Sequence, residues 1–362
     1  MSGAHLLETV AVSKEFPLTR SIAAMFTGRR PRAIHAVDGV SLTMEAGETL
    51  GLIGESGSGK TTLGWVVARI HDLTAGQVLF EGQDVSHLEG EALRRWRQNV
   101  QVVFQDPVGS LDPRLKVWQI VSEPIRAQVT LPKREIRARV AAILPTVGLP
   151  SYCLDQYPHE FSGGGRQRIS LARALSVDPK LVILDEPTSA LDVAVQAQIL
   201  NRLVSLQEER RISFMVITHN VAAVRFVADR VAVMYLGQVL EVGPVREVLE
   251  QPIHPYTKAL LAAVPVADAS RRKVRYRIGG DIPTLIDPVP GCRFAPRCPF
   301  VRDFCRTADP PLVPASGRSN HLVACLRADE VASVSPQELL STAPTAAPAP
   351  PPPEVTPVVS LS

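Results

Sequence analysis

Four short apolar runs punctuate the chain: Leu50-Gly51-Leu52-Ile53, Leu181-Val182-Ile183-Leu184, Phe214-Met215-Val216-Ile217 and Val231-Ala232-Val233-Met234. Runs this short, without polar alternation, predict strands buried on both faces. Apolar residues at helical spacing lie between them: Leu63, Val66, Val67 and Ile70 after the first run, and Leu191, Val195, Ile199 and Leu203 after the second. Strands alternating with helices predict an α/β fold, a mainly parallel sheet covered on both faces. Further strands are predicted at 7–14 and 40–44. Residues 78–104 read as strand, turn, a basic helix at Glu91–Arg97 and strand again. Residues 116–149 are mostly helical, with Val117, Ile120 and Val121 in phase and a second periodic run over Ile136–Val147. Past residue 250 proline rises and the alternation stops, apart from a Leu/Ala-rich helical pattern at Lys258–Val264. Ser341–Ser362 is Pro/Ala-rich and is expected to be a disordered tail.

Composition narrows this little. In 362 residues, 45% apolar and 21% charged suit a globular chain of one large or two modest domains. A formal charge of +3 is too small to predict nucleic acid as a partner. The N-terminal residues lack the basic-then-apolar plan of a secretory signal, and no apolar run approaches the roughly 20 residues that span a bilayer. A cytoplasmic chain is expected, held at any membrane by something else. A basic insertion at about 17–34, containing Gly28-Arg29-Arg30-Pro31-Arg32, reads as a solvated surface rather than a membrane-facing or partner-binding element.

Candidate chemistry begins at Gly54-Glu55-Ser56-Gly57-Ser58-Gly59-Lys60-Thr61, followed by Thr62. The pattern is G-x4-G-K-S/T, placed between a predicted strand and a predicted helix. That context aims successive backbone N–H groups and the helix dipole at a triphosphate. Lys60 is placed to neutralise β- and γ-phosphate charge, and the Thr61 hydroxyl to ligate Mg²⁺. Phe16, at the end of the first strand, is placed either to stack on an adenine ring or to join the core.

The downstream residues narrow the class. The strand Leu181–Leu184 ends in Asp185-Glu186, which puts Asp185 beside Mg²⁺ and Glu186 in reach of an attacking water. Phe161-Ser162-Gly163-Gly164-Gly165 opens a helix and is a second anion-binding turn. One nucleotide does not need two such sites from one chain, so a head-to-tail pair of chains is predicted. This ordered set resembles the nucleotide-binding subunit of an ABC transporter over most of residues 1–250. The resemblance implies an ABC-type P-loop NTPase: a mainly parallel sheet core with antiparallel strands, and a helical subdomain at about 106–175. It implies ATP and Mg²⁺ as cofactors, with Thr61, Asp185 and Gln105 at the metal. Glu186 is then the catalytic base, His219 the switch residue at the γ-phosphate, and Asp192 the loop residue at the partner. Ser162, Gly163, Gly164 and Gly165 would close over the partner's ATP. The family's turn is usually L-S-G-G-Q; here Gly165 replaces Gln, and the composite site containing this turn is expected to be the weaker of the two.

The cysteines pose a separate question. Cys153 is alone, while Cys292, Cys298, Cys305 and Cys325 fall in one segment. Their spacing, C-x5-C-x6-C-x19-C, is a poor match to structural zinc, and four thiolates are equally the ligand set of an iron–sulfur cluster. The pieces His254-Pro255-Tyr256-Thr257 and Gly291-Cys292-Arg293-Phe294-Ala295-Pro296-Arg297-Cys298-Pro299 resemble the C-terminal extension of ATP-binding subunits from oligopeptide and dipeptide importers. That resemblance implies a 4Fe–4S cluster on the four cysteines, with zinc as second choice and no metal third. It further implies an ATPase powering peptide import, with nickel, glutathione or oligosaccharide import, or a soluble ABC ATPase, as alternatives. The expected organisation is a cassette at 1–250, a cysteine-containing extension at 251–330 and a tail at 331–362. The expected partners are a second ATP-binding subunit, two permease subunits and an extracytoplasmic substrate-binding protein. The expected place is peripheral, on the cytoplasmic face of the inner membrane.

Overall fold

The computed structural model describes residues 5–18, 32–106, 109–189, 191–263, 285–286, 288 and 290–334. Most of the basic 17–34 insertion and all of the Pro/Ala-rich Ser341–Ser362 lie outside them.

The chain opens with strands β1 (Leu7–Pro17), β2 (Ala33–Met44) and β3 (Thr49–Ile53), then helix α1 (Lys60–Val67), β4 (Ala75–Phe80), β5 (Gln83–Asp84), α2 (Gly90–Trp96) and β6 (Val100–Val103). A helical stretch follows: α3 (Val117–Val121), α4 (Glu123–Gln128), α5 (Lys133–Ile143) and α6 (Gly163–Leu175). Alternation resumes with β7 (Leu181–Asp185), α7 (Val193–Arg210), β8 (Ser213–Ile217), α8 (Val221–Val227), β9 (Arg230–Tyr235) and β10 (Gln238–Pro244). The chain then runs through α9 (Val245–Glu250), α10 (Pro255–Ala262), β11 (Val313–Ala315), β12 (Arg318–Val323) and α11 (Ala328–Ala332).

The strands form two sheets among the described residues. An antiparallel sheet has the order β2-β1-β4-β5, and a larger one the order β11-β12-β10-β9-β3-β8-β7-β6. Within the larger sheet β9, β3, β8, β7 and β6 are mutually parallel. Their continuous apolar sequences follow from burial: every residue of β3, β7 and β8 is buried. Because these strands run the same way, the chain leaves β3, β6, β7 and β8 along one edge, where open α/β sheets bind their ligands. Three apolar layers hold this edge in place. Leu50, Leu52, Leu63 and Met215 pack with Val12, Val40 and Phe80 of the antiparallel sheet. Val117, Ile120, Val140, Ile169 and Leu171 of the helical stretch pack on Val182, Leu184 and Phe214. On the opposite side Ile53, Val231 and Val233 pack on Val224, Val248, Tyr256 and Phe294.

Three differences from the sequence pattern have physical causes. Helix α1 ends at Val67 and leaves Ile70 42% exposed, because Arg69 takes a left-handed φ of 52° that breaks the helical path. Strand β2 starts at Ala33, well before the predicted residue 40; its pairing with β1 shifts register three times, and such bulges hide the two-residue period. The alternation does not stop at residue 250 either. Strand β12 pairs antiparallel with β10 through Glu241↔Val323 and Val242↔Leu322, so the C-terminal segment extends the main sheet.

Candidate nucleotide site

The glycine-rich turn connects β3 to α1 along the shared edge. Gly59, at the helix entrance, has φ 99°, and a Cβ built on it would lie 2.1 Å from the Ala36 carbonyl oxygen. Only glycine fits that conformation and that approach. The buried Lys60 curls back over the turn: its Nζ donates to the carbonyls of Gly54 at 3.0 Å and Glu55 at 2.9 Å and to Ser58 Oγ at 3.2 Å. Burial pushes the Lys60 pKa below its ordinary value, while the charges of Glu186, Asp185 and Glu55 act against that shift. A cation held in a ring of loop acceptors has the chemistry to exchange them for the oxygens of an anion.

The Thr61 hydroxyl donates to Asp185 Oδ1 at 3.0 Å, joining the start of α1 to the end of β7. Asp185 is 1% exposed and its pKa is raised, chiefly by burial, with the Glu186 charge adding and the Thr61 hydrogen bond and Lys60 opposing. A hydroxyl and a carboxylate facing each other are hard oxygen donors of the kind Mg²⁺ takes, so these residues fit that ion. Beside them Glu186 has φ 48°, an uncommon conformation for a residue with a side chain. Its N–H donates to the Ile217 carbonyl at 2.8 Å. Its carboxylate accepts from the Thr218 hydroxyl at 3.1 Å and the His219 N–H at 3.1 Å, and lies 2.7 Å from His219 Nδ1. These bonds over-determine a strained backbone and point the carboxylate toward the His219 side, where the imidazole is exposed.

The remaining candidates are distributed around this centre. Ser162 caps α6 by accepting from the Gly165 N–H at 3.3 Å, and Ser162 and Gly163 are exposed. Asp192 caps α7 by accepting from the Val195 N–H at 3.0 Å. The two helices touch where Gly164 meets Val195, since a Cβ at Gly164 would lie 2.4 Å from Val195 Cγ1. Gln105 is exposed just past β6, and no hydrogen bond among the described residues joins it to Thr61 or Asp185. Ser56, Gly57 and Thr62 complete the turn and the first helical positions. Phe16 is half-buried: Lys14 Nζ sits 5.1 Å from its ring centroid, and His71 meets it in a T-shaped contact at 5.5 Å. Gly165 acquires a reason here. A Cβ at this position would lie 3.0 Å from both Cβ and Cδ1 of Phe161, so a side chain at 165 needs Phe161 to shift by a few tenths of an ångström.

The iron–sulfur expectation for Cys292, Cys298, Cys305 and Cys325 is not upheld, and neither is its zinc variant. Among the described residues no group of three or more His, Cys, Asp or Glu side chains is arranged to hold a metal ion. The four cysteines do line one cavity with His254, but its volume is about 20 Å³, room for about one water. Burial pushes the thiols of Cys292, Cys298 and Cys325 up, Cys298 to about 12 and Cys325 to about 11, which favours the neutral S–H over the thiolate a metal requires. Cys292 and Cys298 pack as small apolar side chains against the cluster that holds Phe294 and Tyr256, and Cys325 against Ile253 and Val323.

What the sequence did not disclose is how this segment meets the nucleotide turn. Arg297 forms a bidentate ion pair with Glu55, at 3.0 and 3.3 Å, and the Tyr256 hydroxyl accepts from the Glu55 N–H at 2.8 Å. The signal was the intact HPYT and CRFAPR pieces, but their partner lies about two hundred positions away in sequence.

Comparison with known proteins agrees with this geometry. A family model described as ABC transporter matches residues 37–189, and one described as oligopeptide/dipeptide transporter, C-terminal region, matches residues 240–305. The oligopeptide transport ATP-binding protein AppF of Bacillus subtilis is 43% identical over 88% of this chain and 96% of its own length. The dipeptide transport ATP-binding protein DppF of Escherichia coli is 41% identical over 90% of this chain and 95% of its own. Among solved structures, a dimeric ATP-binding cassette in a post-hydrolysis state, bound to ADP and phosphate, superposes with a TM-score of 0.58 at 27% identity. That match covers 66% of this chain and 99% of that one.

Proposed function

The chain belongs to the ABC transporter family of ATP-binding subunits, with an oligopeptide/dipeptide-type C-terminal region, and from that premise we propose that it hydrolyses ATP to power import of peptides. The observation that carries the hydrolytic part is the edge of the main sheet. There Lys60, the Thr61–Asp185 pair and the Glu186–His219 pair converge from three parallel strands. The peptide class is supported by the match over residues 240–305 and by relatives named for oligopeptide and dipeptide transport.

In this reading Gly54–Thr62 cradle the triphosphate and Lys60 gives up its loop carbonyls for phosphate oxygens. Mg²⁺, when bound by Thr61 and Asp185 with Gln105 nearby, offsets charge on the phosphates. Glu186 accepts the proton of the attacking water while its hydrogen bonds from Thr218 and His219 hold it in line, and the exposed His219 imidazole faces the γ-phosphate. Phe16 stacks at the adenine. Ser162, Gly163, Gly164 and Gly165 close over the ATP of a second ATP-binding subunit, and Asp192 sits at that junction. The composite site built on Gly165 is the weaker of the two. Two permease subunits receive the motion and an extracytoplasmic binding protein delivers the peptide. No helix among the described residues is long and apolar enough to cross a membrane. The place of work is peripheral, on the cytoplasmic face of the inner membrane, a reading supported by relatives named as transport ATP-binding proteins. Residues 1–250 serve as the cassette, with the helical subdomain at about 106–175, 251–330 as the extension and 331–362 as the tail.

The experiment is phosphate release from MgATP by the full chain, alone and with its partner subunits. Turnover that disappears in Lys60→Ala is expected; turnover unchanged by that substitution would show that hydrolysis does not run through this turn.

A further inference from the structure

Glu55 lies in the nucleotide turn, and three elements meet on it. Its carbonyl accepts from Lys60 Nζ at 2.9 Å, its N–H donates to the Tyr256 hydroxyl at 2.8 Å, and its carboxylate is gripped by Arg297. Tyr256 and Arg297 both come from the C-terminal segment. The Arg297 side chain is 6% exposed and that of Glu55 24%, so the pair is largely withdrawn from water, where a bidentate guanidinium–carboxylate contact is strong and directional. Arg297 is itself fixed by a hydrogen bond to the Tyr235 hydroxyl at 3.1 Å. Tyr235 packs on Tyr256 at 4.6 Å and on Phe294 at 5.4 Å. A second arm reaches the other end of the turn. Arg293 donates to the Leu236 carbonyl and pairs with Asp38, and the next residue, Gly237, donates its N–H to the Ser58 carbonyl at 2.9 Å. The segment therefore grips the turn at Glu55 directly and at Ser58 through the Leu236–Gly237 peptide.

We propose that Arg297 is a positioning residue for the phosphate-binding turn: by pairing with Glu55 it fixes the turn's entrance and cancels a carboxylate that would otherwise oppose the triphosphate. The C-terminal segment thereby sets nucleotide affinity and does not act only as a mark of transporter class. Two consequences separate this from a plain structural clip. Loss of Arg297 leaves a carboxylate unpaired beside a phosphate site, which weakens binding more than loss of Glu55 does. Removing both charges then recovers affinity, whereas removing two independent struts makes matters worse.

The test is equilibrium titration of the full chain with a non-hydrolysable ATP analogue and Mg²⁺, alongside thermal melting without nucleotide. Arg297→Gln is expected to bind about tenfold more weakly, the factor that corresponds to roughly 1.4 kcal/mol. Glu55→Gln is expected to lose a few-fold, and the double variant to return to within about threefold of wild type, while nucleotide-free melting falls most where one charge of the withdrawn pair is left alone, in Arg297→Gln. Wild-type affinity in Arg297→Gln, or a double variant no better than that single one, overturns the proposal. Should Arg297→Gln fail to fold, Glu55→Gln carries the test, and unchanged affinity there overturns it equally. The inference rests on the turn being the ATP site. A wild-type chain that does not bind the analogue refutes that assignment, whereas binding by wild type with unaffected variants refutes only the positioning role.

Discussion

Replacing Glu186 by Gln removes one charge and no heavy atoms. The Thr218 hydroxyl and the His219 N–H, both at 3.1 Å, bond different carboxylate oxygens. An amide oxygen in the Oε1 place still accepts from the His219 N–H, the amide NH2 in the Oε2 place donates to the Thr218 hydroxyl instead, and the backbone bond to Ile217 is untouched. The strained φ of 48° is therefore still held, and neither Lys60 nor the Thr61–Asp185 pair loses a partner. Ground-state binding of MgATP should be close to wild type. What is lost is the proton acceptor. A positioned general base contributes about 10²- to 10⁴-fold, which is about 2.7–5.4 kcal/mol of barrier at roughly 1.36 kcal/mol per decade. Phosphate release at saturating MgATP, measured on the full chain with its partner subunits, should fall by that factor while analogue binding is retained. A variant whose turnover stays within about threefold of wild type would refute Glu186 as the base, since no carboxylate acceptor remains at that position.

Three other perturbations follow from the geometry. His254 is 1% exposed, its Nδ1 accepts from the Tyr256 N–H, and burial pushes its pKa to about 3. Because that value lies below the unfolded one of about 6.5, its contribution to stability is complete above that pH and is lost as pH falls toward 3, at up to about 1.4 kcal/mol per unit. His254→Asn, which keeps a cap acceptor, should flatten denaturation midpoints between pH 6.5 and 4; an unchanged slope contradicts the burial argument. A Cβ at Gly165 comes within 3.0 Å of Phe161 Cβ and Cδ1, so Gly165→Ala should gain less than the roughly 1 kcal/mol that helix propensity alone would give. The full gain in melting would show that Phe161 yields freely. At pH 8 the thiols of Cys298 and Cys325, pushed up to about 12 and about 11, should alkylate far more slowly in the native chain than after unfolding, and comparable rates would contradict their protonated, buried state.

Much of this molecule was legible before its structure. The four apolar runs became β3, β7, β8 and β9, because strands buried on both faces need no alternation and announce themselves by continuity. Thr61, Asp185, Glu186 and His219 were placed by motif spacing, and parallel strands carry such spacing directly into proximity at one sheet edge. Features set by long-range partners were opaque. Strand β12, RSNHLV, shows little apolar pattern because only His321 and Val323 are buried in it, and its pairing with β10 is decided by Glu241, which accepts from His321 and from the backbone of Ile253 and His254. The cysteine cluster misled because spacing reports proximity in sequence, whereas metal binding depends on thiolate availability and room. Arg297 drew no notice as a single charge beside Cys298, since nothing local reveals that Glu55 is its partner.

Peptide uptake driven by this chain is the point on which the functional assignment turns. Proteoliposomes holding the complete transporter, with MgATP on the side of the ATP-binding subunits and a labelled peptide with its binding protein on the other, give the measurement. Peptide should accumulate against its gradient with wild-type chain and not with Lys60→Ala or Glu186→Gln. Accumulation that persists with either variant, or ATP turnover that moves no peptide, would contradict an ATPase that powers peptide import.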